Sequence, residues 1–161
     1  MQAQPWVALM ANGLVVGDDA RVAAWTYAAF KLFPVPVIKA LGVVNEDGFL
    51  VGGILFQNYN GVNVNLSYYG PGTVSGGIVR AISRICISEL HVARLTIIVP
   101  KKNKRLLRSV QRFGFRLEGV QRRFYGHRDC ARNTGVRFVM FSEHLNKLAG
   151  YKDVPSVQQQ A

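Results

Sequence analysis

The spacing of apolar residues changes repeatedly along this chain, and each change predicts a new element. Residues 6–10 form a short apolar run that reads as a strand. Asp18 then stands in an N-cap position, and Val22, Trp25, Ala29 and Phe33 recur every three or four residues, predicting a helix that Phe33-Pro34 ends. Residues 37–45, 49–58 and 62–69 predict a three-stranded antiparallel meander, broken by Glu46-Asp47-Gly48 and by Asn60-Gly61, a pair suited to a two-residue hairpin. In the third strand Val62, Val64, Leu66 and Tyr68 alternate with Asn63, Asn65, Ser67 and Tyr69, which gives it one apolar face and one of amides and hydroxyls.

Gly70-Pro71-Gly72-Thr73-Val74-Ser75-Gly76-Gly77 follows directly and opens a helix with Ile78, Ile82 and Ile85 on one side and Arg80 and Arg84 on another. A glycine-dense turn from strand into helix leaves backbone N–H groups and the positive end of the helix dipole facing one place, where a phosphate can sit. Residues 94–99 are the next strand, stopped by Pro100, and residues 103–113 a basic amphipathic helix with Leu106, Leu107, Val110 and Phe113 on its buried side. Gly114 ends that helix, residues 115–125 and 136–141 are the last strands, and 143–149 a final helical turn. The order predicts an α+β domain over residues 1–150, with a mixed, mostly antiparallel sheet of about six to seven strands flanked by helices, and a polar tail over 151–161.

Composition narrows the class. Of 161 residues 49% are hydrophobic and 18% charged, enough apolar surface to offset chain entropy, so the chain folds. No apolar run reaches the roughly 18 residues of a spanning helix and the first residues carry no basic leader, so we expect a cytoplasmic protein without membrane contact. Cys86 and Cys130 stand far apart with no CxxC or His-rich spacing, which indicates neither a disulfide framework nor a metal site. The net charge is +11, and it is localised: residues 80–137 hold fifteen Lys or Arg against three acids, the remainder five against six. Such a field attracts anions, whether a polyphosphate cofactor, an acidic partner or nucleic acid. Sequence-specific nucleic-acid reading is not expected, because no recognition module is present and the aromatic residues are not interleaved with the basic run.

One string is more specific: Asn103, Leu106, Phe113-Gly114-Phe115, Leu117-Glu118-Gly119-Val120 and Arg122-Arg123-Phe124-Tyr125. It resembles the GNAT superfamily of acetyl-CoA-dependent N-acetyltransferases, particularly the branch that modifies protein N-termini and its phage-encoded relatives. The resemblance extends over residues 37–141. It implies the GNAT fold, acetyl-CoA or coenzyme A as cofactor, and an amine acceptor, with a protein amino group and an acidic partner among the candidates. It further implies a splayed pair of strands gripping the pantetheine arm, with a backbone N–H of Ser67 or Tyr68 facing the thioester carbonyl. The pyrophosphate would lie on the amides of Ser75, Gly76, Gly77, Ile78 and Val79, and Asn103 with Arg108, helped by Lys101, Lys102 and Lys104, would hold the rest of the cofactor.

The chain also departs from the family pattern. The cofactor loop corresponds to Gly72, Ser75 and Gly77, Val110 stands where many members carry an acidic Tyr, and the strand before the loop offers Asn63, Asn65 and Ser67 but no carboxylate. That leaves Tyr125 and Tyr68, beside Tyr69, as candidate proton carriers. Glu118 is expected to pair with neighbouring Arg residues. An N-acetyltransferase is the leading expectation, with a non-catalytic GNAT scaffold, such as a phage structural or assembly protein, as the alternative and a basic nucleic-acid-binding module as a weaker one.

Overall fold

A computed structural model of the chain describes residues 9–10, 13–70 and 74–151. Residues 6–8 of the first predicted strand, Gly72 and the tail after Tyr151 lie outside them. The elements run β1 (Leu9–Met10), β2 (Leu14–Val15), α1 (Asp19–Ala29), β3 (Val37–Val44), β4 (Leu50–Gln57), β5 (Asn63–Tyr69), α2 (Gly76–Arg84) continued by a π-helical turn (Ile85–Glu89), β6 (Arg94–Pro100), α3 (Lys104–Arg112), β7 (Arg116–Gln121), a 3-10 turn (Ala131–Asn133), β8 (Gly135–Phe141) and α4 (Ser142–Ala149). They form one eight-stranded sheet ordered β1-β2-β3-β4-β5-β6-β8-β7. It is antiparallel except between β5 and β6, where the α2 crossover returns the chain to the same end of the sheet. The α+β order read from the sequence is the observed one. The additional strand is β2, which Gly13 at φ +71° turns back onto β1.

Two helical layers cover different parts of the sheet. On one face α2, its π-helical turn, α3 and α4 pack over a core that includes Ile54, Phe56, Leu66, Ile82, Leu95 and Val110. On the other face α1 packs over β3 and β4, with Val22 and Ala23 against Ala40 and Leu55. The helical face expected from Val22, Trp25, Ala29 and Phe33 is not the one buried: α1 ends at Ala29, Phe33 is 87% exposed, and Val22, Ala23 and Thr26 point inward. The reason lies in the strands beneath. Gly42 and Gly53 are paired in register, and a Cβ on Gly53 would fall 2.0 Å from Thr26 Oγ1. Helix and sheet backbones therefore meet directly, and small residues rather than large apolar ones make the contact. Asp18 makes no side-chain cap; Asp19 instead accepts the Ala40 N–H at 3.1 Å and ties the helix start to β3.

The Asn60-Gly61 pair does not form a two-residue hairpin, since β4 ends at Gln57 and β5 begins at Asn63. Asn60 organises the longer loop, its Oδ1 accepting the N–H groups of Val62 at 3.0 Å and Asn63 at 2.7 Å, while Asn58 and Gly61 take positive φ. Gly114 ends α3 at φ +97°, where a Cβ would lie 2.4 Å from the His144 ring. Arg84 of α2 donates to the Ala149 carbonyl at 3.0 Å and so caps α4.

Candidate active site

The parallel pair β5 and β6 is hydrogen-bonded only from Asn63 and Arg94 to Leu66 and Ile97. Both strands continue for three more residues. The Val62 carbonyl accepts the N–H groups of Ala93 and Arg94. Backbone groups alternate sides along a strand, so Val64, Leu66 and Tyr68 address β6, whereas Asn63, Asn65 and Ser67 address β4. On β6 the same alternation turns Thr96, Ile98 and residue 100 towards β5. A continued ladder would give the Tyr68 N–H to the Ile98 carbonyl and would ask residue 100 to donate to the Tyr68 carbonyl. Residue 100 is proline and has no N–H. The ladder ends there, and the Ile98 carbonyl accepts the Tyr125 hydroxyl at 3.2 Å.

The two sides of this gap differ chemically. Towards α2 and α3 lies an apolar cavity of about 40 Å³, lined among others by Leu66, Tyr68, Val79, Ile82, Leu106 and Val110. Val110 is buried there, an apolar residue on the wall of an apolar cavity at the α3 position expected to lack an acid. Towards α1 the gap is polar and aromatic. Ser67 Oγ donates to Gln57 Oε1 at 2.9 Å, Gln57 Nε2 to the Tyr27 hydroxyl at 2.9 Å, and Tyr27 to the Val35 carbonyl at 2.5 Å. Phe30 at the end of α1 stacks near Tyr69, ring centroids 5.7 Å apart.

Tyr68 and Tyr125 therefore stand on opposite faces of the sheet. The Tyr68 phenol lies over the start of the glycine loop, 3.2 Å from where a Cβ on Gly70 would be. Burial raises the Tyr125 pKa, and the Tyr69 phenol adds to the rise. Burial also raises Tyr68 and Tyr69 above the ordinary phenol value. All three stay protonated at neutral pH, which suits them to donate protons and not to accept them. No described carboxylate lines either side of the gap, and Glu118 and Asp129 of the neighbouring basic stretch are engaged in ion pairs. Glu118 accepts from Arg94 Nη2 at 2.6 Å and lies 3.2 Å from Arg137 Nε, and the Arg94 bond holds its carboxyl below the usual range. Asp129 is paired with Arg122, which does the same to it.

The other predicted binding residues collect at the carboxyl end of β5 and β6, where α2 and α3 begin. Ser75 caps α2, its Oγ accepting the Ile78 N–H at 3.3 Å while its carbonyl accepts the Val79 N–H at 3.1 Å. Gly76 and Gly77 follow, in the first turn, whose N–H groups have no partner within the helix. Neither backbone conformation nor packing demands a glycine at 76: a Cβ there would meet nothing within 4 Å. Its absence leaves room for a ligand to reach the backbone. Asn103 caps α3 by accepting the Leu106 N–H at 3.1 Å. Arg108 stands on the exposed face of α3 with Lys104 and Arg105, and none of the three joins an ion pair among the described residues. Asn103 and Tyr125, distant in sequence, line one open cleft of about 430 Å³ together with Pro100, Lys102, Arg132 and Asn133.

No family model and no curated protein matches the sequence. Solved structures do. The spermidine/spermine N-acetyltransferase SpeG from Vibrio cholerae superposes with a TM-score of 0.56 at 13% identity, over 68% of this chain and 67% of its own. A GNAT-family acetyltransferase from Bacillus anthracis gives 0.53 at 15% identity, over 65% and 66% of the two chains. The chain has the GNAT fold. A GCN5-related N-acetyltransferase from Brucella melitensis, at 20% identity and a TM-score of 0.55, covers 70% of this chain, which spans 54% of that protein's length. Among the described residues no helix of this GNAT fold is long and apolar enough to cross a membrane.

Proposed function

We propose that the chain is an acetyl-CoA-dependent N-acetyltransferase that moves acetyl to an amine. The observation that carries this reading is the opening of the β5–β6 ladder beyond Leu66 and Ile97, with the Tyr125 hydroxyl at its edge and the glycine-opened α2 at its end. Bound acetyl-CoA supplies a thioester, an acetyl group open to attack by a neutral amine. The N–H groups of Gly76 and Gly77 and the α2 dipole hold the diphosphate, with the Ile78 and Val79 amides, already bonded to Ser75, completing the turn. Asn103, Lys104 and Arg108 attract the remaining phosphate. The Tyr68 N–H, directed into the gap, polarises the thioester carbonyl, while the gap aligns the reactants. The Tyr125 hydroxyl, held on the Ile98 carbonyl, would give its proton to the departing sulfur and take back, directly or through water, the proton that the attacking nitrogen sheds as the amide forms.

No described carboxylate faces the gap to take the amine proton, so the acceptor must reach the site already neutral. The sequence string from Asn103 to Tyr125 favours a protein N-terminal amine among the possible acceptors. The buried Val110 supports a second reading, a coenzyme A-binding scaffold without turnover. Acetyl transfer to a panel of peptide and small amines across pH separates the two. We expect the rate to climb with the fraction of neutral amine, without an earlier plateau set by a protein base. A bell-shaped profile with an acidic limb near neutrality would reveal a base in the site, and cofactor binding without transfer would favour the scaffold.

A further inference from the structure

The cleft that Tyr125 shares with Asn103 contains two cations, Lys102 and Arg132, and no acid. Among the described residues neither cation joins an ion pair. The carboxylate nearest to Arg132 in sequence, Asp129, is engaged by Arg122 and cannot neutralise it. The α3 N-terminus opens beside Lys102, adding the positive end of a helix dipole to the same space. The segment carrying Arg132 is fixed, because Asn133 Nδ2 donates to the Arg128 carbonyl at 2.9 Å and the Asn133 carbonyl accepts the Tyr125 N–H at 3.1 Å. The hydroxyl proposed to protonate the sulfur and the two unpaired cations thus line the same open volume of about 430 Å³. A dicationic amine entering there would meet like charge with nothing to offset it.

We infer that Lys102 and Arg132 select an acceptor amine that carries a carboxylate or phosphate, seating that anion in the cleft while its amine points towards the β5–β6 gap. The inference rests on the acetyltransferase reading and gives it a substrate class. It also distinguishes this chain from one suited to polycationic amines: repulsion of a second ammonium group excludes them, and attraction of the anion draws in the preferred acceptor.

The test uses three amines of equal chain length and different charge: 4-aminobutyrate, butylamine and putrescine. Their kcat/KM values are measured with the full chain at fixed ionic strength and saturating acetyl-CoA. Two partly exposed charge contacts predict a preference for 4-aminobutyrate over butylamine of about threefold to tenfold, with putrescine last. The double variant Lys102→Ala, Arg132→Ala should bring the ratio of 4-aminobutyrate to butylamine close to one, and added salt should lower it in the wild type. Equal rates for the three amines, or putrescine first, overturns the inference while the transferase reading stands. A rise in KM for acetyl-CoA in the double variant with the amine ranking retained also overturns it, since the cations then serve the cofactor. Failure of the wild type to bind coenzyme A at all is the separate result that removes the transferase reading.

Discussion

The seam between β3 and β4 and the seam between β5 and β6 lie in one sheet and end differently. The first is paired from Val37 and Gln57 to Val44 and Leu50, with register shifts at Ile38 and at Val51, and α1 lies on the bare backbone of the Gly42–Gly53 pair. The second is paired over four positions and then opens. What separates them is backbone chemistry more than hydrophobicity: glycines let a helix seal one seam, and a proline that cannot donate, with a tyrosine hydroxyl placed on the opposing carbonyl, leaves the other unsealed. A sheet with both features has one rigid half and one half able to take a further strand-like ligand.

The glycines test this contrast most strongly. Gly53→Ala places a methyl group 2.0 Å from Thr26 Oγ1, and we expect it to cost about 3 kcal/mol of stability by denaturant titration. Gly76→Ala, in a helix first turn with open space around it, should stay within about 0.5 kcal/mol of the wild type. Similar losses in both would mean that the two halves are not built differently.

Next in size is Tyr125→Phe, which removes the hydroxyl from the Ile98 carbonyl and leaves the ring. Loss of a positioned acid predicts a fall in kcat on the order of 100-fold, read by thiol release, with coenzyme A affinity changed by less than about twofold. An unchanged kcat would remove Tyr125 from the chemistry. Smaller still is the effect of Val110→Tyr. A phenol forced into the apolar cavity of about 40 Å³ should destabilise the chain by roughly 1–3 kcal/mol and gain no turnover, because the proton donor approaches from the other face. A faster variant of undiminished stability would show that the α3 side can host the acid.

How much of this was legible in the sequence depends on whether local chemistry or tertiary contact decided it. The meander, the end of β6 at Pro100 and the pairing of Glu118 with Arg residues follow from residue type and spacing. The face of α1 does not, because glycines in two other strands determine it and Thr26 leaves no apolar signal. The site divides similarly. That Tyr68 and not Ser67 turns its backbone to the gap follows from β5 alternation only once the pairing is known. The meeting of Tyr125 with Tyr69, and of Lys102 with Arg132, requires the 122–134 segment to fold back over the end of β6, which no short motif encodes.

If the open seam and the α2 N-terminus together hold coenzyme A, titration calorimetry of the wild type and Gly76→Glu with coenzyme A will read it out. Glutamate at the first helical position favours the α2 dipole, and its Cβ meets nothing within 4 Å, yet it sets a negative charge where the diphosphate approaches. We expect saturable binding of one coenzyme A per wild-type chain, weakened at least about tenfold in Gly76→Glu with the melting temperature essentially preserved. Absence of heat and of any thermal shift with millimolar coenzyme A in the wild type, or equal binding by both proteins, would contradict it.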